Sequence, residues 1–492
     1  MFDTRLHEYW KPPQTEQSRA LIDRMRTAGR AESRAAAERL DAIAELFELR
    51  RAERGEQADW AVDTWAAVGA EVAAAFRISQ GMAGSYLRYA LAMRERLPRV
   101  AAVFRAGDID FRMFATIVHR TDLITDEQVL AAVDAQLAVK VPRWPSMTRG
   151  RLAGQVDKIV AKVDADAVRR RQERQADREV WIGDGGEGVS EIHGSLFTPD
   201  VQALDKRLEA LAATVCEHDP RSREQRRADA LGALAARADR LGCRCGRDDC
   251  AAGKRPAASP VVIHVIAEQA TIDGRSTLPA SEVGADGLIT PELVAELAAS
   301  AKLVPLIHPG DAAPEPGYVP SKALADFVRC RDLTCRWPGC DRPAVGCDLD
   351  HTIPYSQGGA THASNLKCYC RTHHLVKTFW GWGEQQLADG TLILTSPAGH
   401  TYVTTPGSAL LFPSLCRNTG GAPAPEADPP LDYCAERTAM MPKRRRTRAK
   451  NRAHRVATER RQNRDARTTR REEPVSFVGP APPDPDEDSP PF

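Results

Sequence analysis

At 492 residues, with 42% apolar and 27% charged side chains, the chain has room for about two to four domains and is too apolar for a disordered polymer. A formal net charge of +1 excludes a wholly basic nucleic-acid coat, and the want of an apolar leader or of any run of ~18 apolar residues argues against membrane insertion. The expectation is a cytoplasmic chain whose 12 cysteines stay reduced, so that clustered cysteines read as metal ligands before disulfides.

Residues 1–16 read as a flexible N-terminus, and residues 17–308 as a mainly helical domain with a small appended sheet. Leu40, Ile43, Ala44 and Phe47 recur at i, i+3, i+4 and i+7, one apolar stripe of a helix spanning 17–54. Further helical patterns cover Trp60–Leu97, Pro98–His119, Asp126–Val139 and Arg149–Arg178. Within the first of these, Glu71–Ala90 has the look of a helix-turn-helix, turning at Ile78-Ser79, whose second helix would enter a major groove. Plain bundles also contain such Ala-rich helix pairs.

The period then changes. Glu179–Ile182 and Val189–Phe197 flank Gly183-Asp184-Gly185-Gly186 and predict a hairpin, with helices at 199–216 and 224–240 and a buried strand at Val261–Ala267 that would join the hairpin. Cys243-x-Cys245-x4-Cys250 forms a candidate second zinc set, with His264 or His218 as fourth ligand; free loop thiols are the other reading. Residues 309–320 are Pro/Gly-rich and read as a linker, after which a short helix, Ser321–Arg331, opens a compact region over 321–412.

That region carries the densest chemistry. Cys335-x4-Cys340 and Cys370-x2-His373 are two pairs of soft ligands about thirty residues apart, as a closed tetrahedral structural Zn²⁺ site requires. A domain of this size has a small core, so a metal staple makes physical sense. Between the knuckles lie a strand ending in Asp350-His351, a loop opened by Pro354 and Gly358-Gly359, Asn365, and a helix over Arg371–Thr378. The short strands predicted at 380–385, 391–395 and 402–405 would pack on this module, with Trp380 and Trp382 in its core.

The segment CRWPGCDRPAVGCDLDHTIPYSQGGATHASNLKCYCRTHHLVK resembles the HNH endonucleases of the ββα-metal superfamily, whose signature is DH, then N, then CxxCHxxK or CxxHHxxK. The resemblance implies a DNA phosphodiesterase. His351 would be the general base, Asp350 and His374 the ligands of one catalytic Mg²⁺ or Mn²⁺ ion, and Asn365 the amide that holds the loop and so orients the base. The His-His doublet then divides two jobs, His373 on zinc and His374 on the catalytic ion. Arg371 and Lys377 are candidate phosphate contacts. Cys330, Cys347 and Cys368 lie near enough in sequence to compete as zinc ligands.

Taken whole, Arg96–Ile124 and Arg226–Cys250 resemble the bacterial thirteen-E-twelve repeat family, which pairs a helical domain of unknown function with a C-terminal HNH nuclease. Beyond this module, residues 413–492 read as a disordered tail, basic over 443–471 and then acidic and Pro-rich. Lys443–Arg471 holds a surplus of 12 positive charges and begins with Lys443, Arg444, Arg445 and Arg446, an arm suited to DNA. The expected fold is thus a mainly α N-terminal domain with a small sheet, a zinc-stapled ββα-metal domain and a disordered basic tail. The rival expectation is a catalytically inactive, zinc-stabilised DNA-binding protein derived from a mobile element. The sequence sets no oligomeric state.

Overall fold

Short polar side chains fix where the helices begin. Helix α1 runs Glu16–Arg54. Helix α2 (Thr64–Phe76) starts at Asp63, whose carboxylate accepts from the Ala66 N–H, and stops at Arg77 in the left-handed region, φ 53°. Helix α3 follows at Gln80–Leu91, then α4 at Pro98–Arg105 and α5 at Phe111–Arg120, capped by Asp110. Helices α6 (Glu127–Lys140) and α7 (Arg149–Val163) are capped by Asp126 and Thr148. The computed structural model describes residues 15–55, 57–145, 147–169, 180–184, 189–194, 196, 198–250, 252, 264–283, 288–299, 301–421 and 440–472. The reading of Glu472–Phe492 as a disordered end, apart from its first residue, lies outside them, as do Gly185 and Gly186 of the expected turn and the first three residues of the Val261–Ala267 strand.

Contacts cluster into two units, and they do not follow the linear division expected from sequence. One comprises the described residues within 1–45, 88–170 and 445–492. Its interior takes the stripe Leu40, Ile43 and Ala44 of α1 together with Leu97, Val100, Phe104, Phe114, Ile117, Leu137 and Val160, all buried. Phe104 and Phe114 stack at 5.0 Å. Buried Asp134 accepts from the Arg99 and Val100 N–H groups and so caps α4 from outside.

The basic tail is corrected by this unit. Arg448–Glu472 is a helix rather than a disordered arm. Its arginines find carboxylates: Arg452 to Asp122 at 2.7 Å, Arg460 to Asp164 at 2.7 Å, and Arg464 and Arg467 to Asp166. Asn463 donates to the carbonyls of Asp166 and Val168. Three acids on short connections thus supply the counter-charge that orders a helix whose own composition repels itself.

The second unit comprises the described residues within 46–87 and 171–444. Residues 46–87 join it because α2 is apolar nearly all round and needs cover: Ala66, Ala67, Ala70 and Ala74 share one core with Phe327, Trp337, Tyr369, Val376, Trp380, Trp382 and Leu394. Arg50 makes a buried bidentate pair with Glu71, both contacts at 2.8 Å. The expected hairpin is present as β1 (Val180–Asp184) and β2 (Ser190–Gly194). The strand expected to join it does not: β3 (Val265–Ile266) pairs instead with β4 (Ala280–Glu282), which pairs with β5 (Leu288–Ile289). Between them lie α8 (Thr198–Ala212) and α9 (Arg223–Ala235).

After α10 (Pro291–Ala298) the segment 309–320 is packed rather than a free linker: Glu315 bridges Thr361, and its carboxylate accepts from Ser321, the N-cap of α11 (Lys322–Asp332). Strands β6 (Asp348–His351) and β7 (Leu366–Tyr369) form an antiparallel pair followed by α12 (Arg371–Phe379). A three-stranded sheet, β8 (Gly383–Gln386), β9 (Leu392–Thr395) and β10 (Thr401–Thr404), completes the unit, and Trp380 and Trp382 are core residues as expected.

Candidate active site

The β6–β7 pair is pinned from below by two buried charges. Asp332 is fully buried and accepts from Arg331, Arg336 and the Cys368 N–H. Arg331 in turn donates to the carbonyls of Ala363 and Leu366, on either side of Asn365. The Asn365 side chain closes the loop: its Oδ1 accepts from the Ile353 N–H at 2.8 Å, and its Nδ2 donates to the carbonyls of Ile353 and Ala360. This loop is tight enough to demand glycine. A Cβ on Gly359 would lie 1.8 Å from the Ile353 carbonyl oxygen, and Gly358 turns at φ +83°.

His351 ends β6 and is 3% exposed. Its Nε2 lies 2.9 Å from Thr361 Oγ1, and that hydroxyl donates to the Gly317 carbonyl at 2.6 Å. A hydroxyl has one proton, so Thr361 accepts from His351, which assigns the proton to Nε2 and the lone pair to Nδ1. Nδ1 is buried and has no hydrogen-bond partner among the described residues. Burial pushes the imidazole down to about 4, so it is neutral at pH 7. Tyr318, itself half exposed, stacks on the ring at 5.2 Å, and Tyr355 meets it edge-on at 5.8 Å.

Beside His351 lies a buried ionic cluster. Lys367, directly across the ladder from Asp350, donates to it at 2.8 Å and to Glu384 at 2.6 Å. Lys377 from α12 donates to Asp350 at 3.0 Å, to Glu384 and to the His351 carbonyl. This corrects the reading of Lys377 as a phosphate contact: it is buried among carboxylates. Burial alone would push Asp350 up, but Lys367, His374 and Lys377 hold it well below the usual carboxylate range. Burial likewise opposes charge on His374, yet its bonds to Asp350 and Asp348 raise it above an ordinary histidine.

His374 bridges two acids: its Nδ1 is 2.8 Å from Asp348 Oδ2 and its Nε2 3.2 Å from Asp350 Oδ1. An acid holding one ring nitrogen while the other faces a second carboxylate is the donor arrangement of a carboxylate–histidine metal site. Asp350 and His374 therefore fit a divalent cation by donor type, with Asp348 orienting the ring. Even so, the described groups of three or more ligating side chains are two thiolate clusters, and neither includes Asp350.

The first cluster is the expected one. Cys335, Cys340, Cys370 and His373 bring their ligand atoms within 4.8 Å of one another and could hold a structural metal such as zinc. His373 turns Nδ1 toward the sulfurs of Cys370 and Cys335, at 3.3 and 3.5 Å, and its other nitrogen toward Gln80 Oε1 at 3.5 Å. Its ring stacks on Trp337 at 4.8 Å. Cys330, Cys347 and Cys368 stand outside the cluster; the Cys347 and Cys368 thiols face backbone carbonyls.

The helix-turn-helix reading changes here. The two helices and their turn exist, but the start of α3 is covered by the knuckle: Gly339 lies so close that a Cβ there would meet the Ile78 carbonyl oxygen at 2.5 Å. The end that would face a groove packs against the Cys335–Cys340 loop instead. The second cluster contains the expected Cys243, Cys245 and Cys250, but its fourth member is Cys216. His264 is exposed and contributes only its carbonyl, to Val283, while exposed His218 lies beside Glu217. Cys216 stands 27 residues before Cys243, too far to be read as part of a knuckle.

The other cationic candidates scatter. Arg371 is exposed, 3.3 Å from Asp348. Lys443 is exposed beside Asp59, whereas Arg444 is tied to Asp63 and the Ala61 carbonyl and is no free phosphate contact. Arg445 and Arg446 are exposed. Sequence reading missed Asp348, Thr361, Tyr318, Lys367 and Glu384. Of these, Asp348 was detectable, being two residues before Asp350 and hence on the same strand face.

A family model described as a domain of unknown function, DUF222, matches residues 27–332, and so stops ahead of the first zinc knuckle. The uncharacterized protein Rv3776 of Mycobacterium tuberculosis (strain ATCC 25618 / H37Rv) is 44% identical over 487 residues, covering 94% of this chain and 92% of its own length. The uncharacterized protein Rv2100 of the same strain is 43% identical over 500 residues, covering 93% and 90%. No solved structure matches the chain. No helix among the described residues is long and apolar enough to cross a membrane.

Proposed function

The chain belongs to the DUF222 family, and from that premise we propose that it is a metal-dependent endonuclease of the HNH type, hydrolysing DNA phosphodiester bonds. The observation that carries this reading is the state of His351. Its Nε2 proton is committed to Thr361, and its Nδ1 lone pair, buried and without a partner among the described residues, is free to take a proton from water. Cleavage needs that base next to a scissile phosphate, and Asp350 immediately precedes His351 in β6. Asp350 and His374 would hold the cation, Mg²⁺ or Mn²⁺, which when bound would stabilise charge on the phosphate and the leaving 3′-oxygen. Asp348 keeps the His374 ring in register, and Asn365 fastens the loop that carries His351.

Tyr318 stacks on the imidazole at 5.2 Å, and on this reading DNA seated on the loop would displace its ring and open the site to water. Exposed Arg371, Arg445, Arg446, Lys450, Arg455 and Arg461 supply sequence-blind phosphate affinity, which should weaken as salt rises. The ββα order of strand, strand and helix, with a thiolate cage bracketing it, supports the same reading.

A second reading has its own observation. Lys367 and Lys377 both occupy Asp350, as would suit a relic that binds DNA without cutting. Supercoiled plasmid incubated with the zinc-loaded full chain and Mg²⁺ or Mn²⁺ separates the two. Nicked circles are expected of the nuclease; a salt-sensitive gel shift with no nicking in either metal is expected of the relic.

A further inference from the structure

The second thiolate cluster lies apart from the proposed nuclease chemistry, and its surroundings are unlike those of the first. Cys216, Cys243, Cys245 and Cys250 are each half-buried, and their sulfurs all lie within 4.8 Å of one another. Tetrahedral bonds of ~2.3 Å to zinc place ligand sulfurs about 3.8 Å apart, a spacing compatible with this cluster. The Cys216 and Cys243 sulfurs lie 3.5 Å apart.

The backbone around the cage is built to hold it. Gly246 turns at φ +69°, the Cys250 N–H returns to the Arg247 carbonyl, and the Cys243 N–H reaches Ala252, closing the loop. Cys216 is brought across by a knot of charge. The Asp219 side chain, wholly buried, accepts from the Arg221 guanidinium and from the Arg244 N–H, while Arg221 also donates to the Gly242 carbonyl. Thr214 accepts from the Leu241 N–H at 2.8 Å.

Little else holds this stretch together. Among the described residues, the buried apolar ones between 198 and 252 are Leu211, Ala212, Ala230, Ala233, Ala238 and Leu241, four of them alanines. Helices α8 and α9 are joined by partly exposed pairs, Arg223 and Arg227 to Glu209 and Arg227 to Asp205. Such solvent-screened pairs add little to stability. A core of that size cannot order some fifty residues against their chain entropy.

We propose that Cys216, Cys243, Cys245 and Cys250 bind one Zn²⁺ as a second structural ion, and that this ion, rather than an apolar core, folds residues 198–252. The site is all-thiolate, so its occupant is a borderline-soft tetrahedral ion and not Mg²⁺ or Ca²⁺. It is separate from the proposed cleavage chemistry and does not depend on it.

The test counts metal and maps folding on the full-length chain, purified reduced and without chelator. Zinc release measured with a chromogenic chelator is expected to give two ions per chain, falling to one in Cys216→Ser or Cys245→Ser and staying at two in His264→Ala. Hydrogen exchange read by mass spectrometry localises the loss: in Cys216→Ser, protection should collapse across 198–252 and persist across 321–412. Cys370→Ser should do the reverse. A wild-type chain with one zinc, a Cys216→Ser chain that keeps two, or unchanged protection of 198–252 in a one-zinc Cys216→Ser chain overturns the proposal. So does a non-reduced intact mass showing disulfides among these four cysteines.

Discussion

The two thiolate clusters of this chain use the same kind of ligand in opposite settings. Around Cys335, Cys340, Cys370 and His373, three of the four ligands are buried, and the histidine is packed on Trp337 within the core that also holds Tyr369, Trp382 and Leu394. Around Cys216, Cys243, Cys245 and Cys250 every ligand is half-exposed, and the neighbouring core is Ala233, Ala238 and Leu241. A metal in the first setting would add to packing that is already dense; in the second it would replace packing that is missing. A small domain can be held by either route, but the two should fail differently.

The sharpest way to break that contrast is to attack packing rather than metal. Trp337→Ala should cost the module around Cys335, Cys340, Cys370 and His373 about 3–5 kcal/mol, the range for truncating a buried aromatic, read as a lowered denaturation midpoint. Leu241→Ala in the zinc-saturated chain should cost less, because the smaller cluster does not rest on its apolar contacts; an equal loss would erase the distinction. Next comes Asn365→Ala. It leaves the Ile353 N–H and the Ile353 and Ala360 carbonyls without their partner, a cost of about 1–3 kcal/mol. Hydrogen exchange at 352–361 should rise while that at 216–250 stays unchanged.

The smallest effect concerns the helix Arg448–Glu472, whose docking rests chiefly on ion pairs, with Asn463 and buried Val456 beside them. Burial would push Asp122 up, but Arg452, Arg96 and Arg169 depress it below the ordinary carboxylate value. A depressed folded value means the stabilisation is fully present above the unfolded Asp pKa of ~3.9 and is lost as pH falls through the lower folded one. Protection of this helix from exchange should therefore hold from pH 8 down to about 4 and fade below it. Arg452 is half exposed, so added salt should loosen the helix at neutral pH as well. Indifference to both acid and salt would mean that something other than these pairs docks it.

What could be read from sequence was what depends on spacing. The stripe Leu40, Ile43, Ala44 and Phe47 lies where helical period puts it, and Cys335, Cys340, Cys370 and His373 meet because two knuckles bracket one hairpin. Asn365 clasps its loop as an amide with both donors and an acceptor can. What could not be read depends on remote partners. Cys216 belongs to a cluster only because the Asp219–Arg221 knot folds it back. Lys377 turned inward because Asp350 and Glu384 lie beneath α12, and the basic tail became a helix because Asp122, Asp164 and Asp166 answer it. Tyr318 looked like linker because proline and glycine around it signal a loop, whatever that loop touches.

The central claim is that His351 is the base of a phosphodiesterase, and single-turnover plasmid nicking by the wild type and His351→Ala tests it most directly. Both proteins are assayed in Mg²⁺ and in Mn²⁺, with zinc content measured in each. The expected outcome is nicking by the wild type and a loss of about 10²–10⁴-fold in the variant at unchanged zinc content. Equal rates in the two proteins, or no nicking by a fully zinc-loaded wild type in either metal, would contradict it.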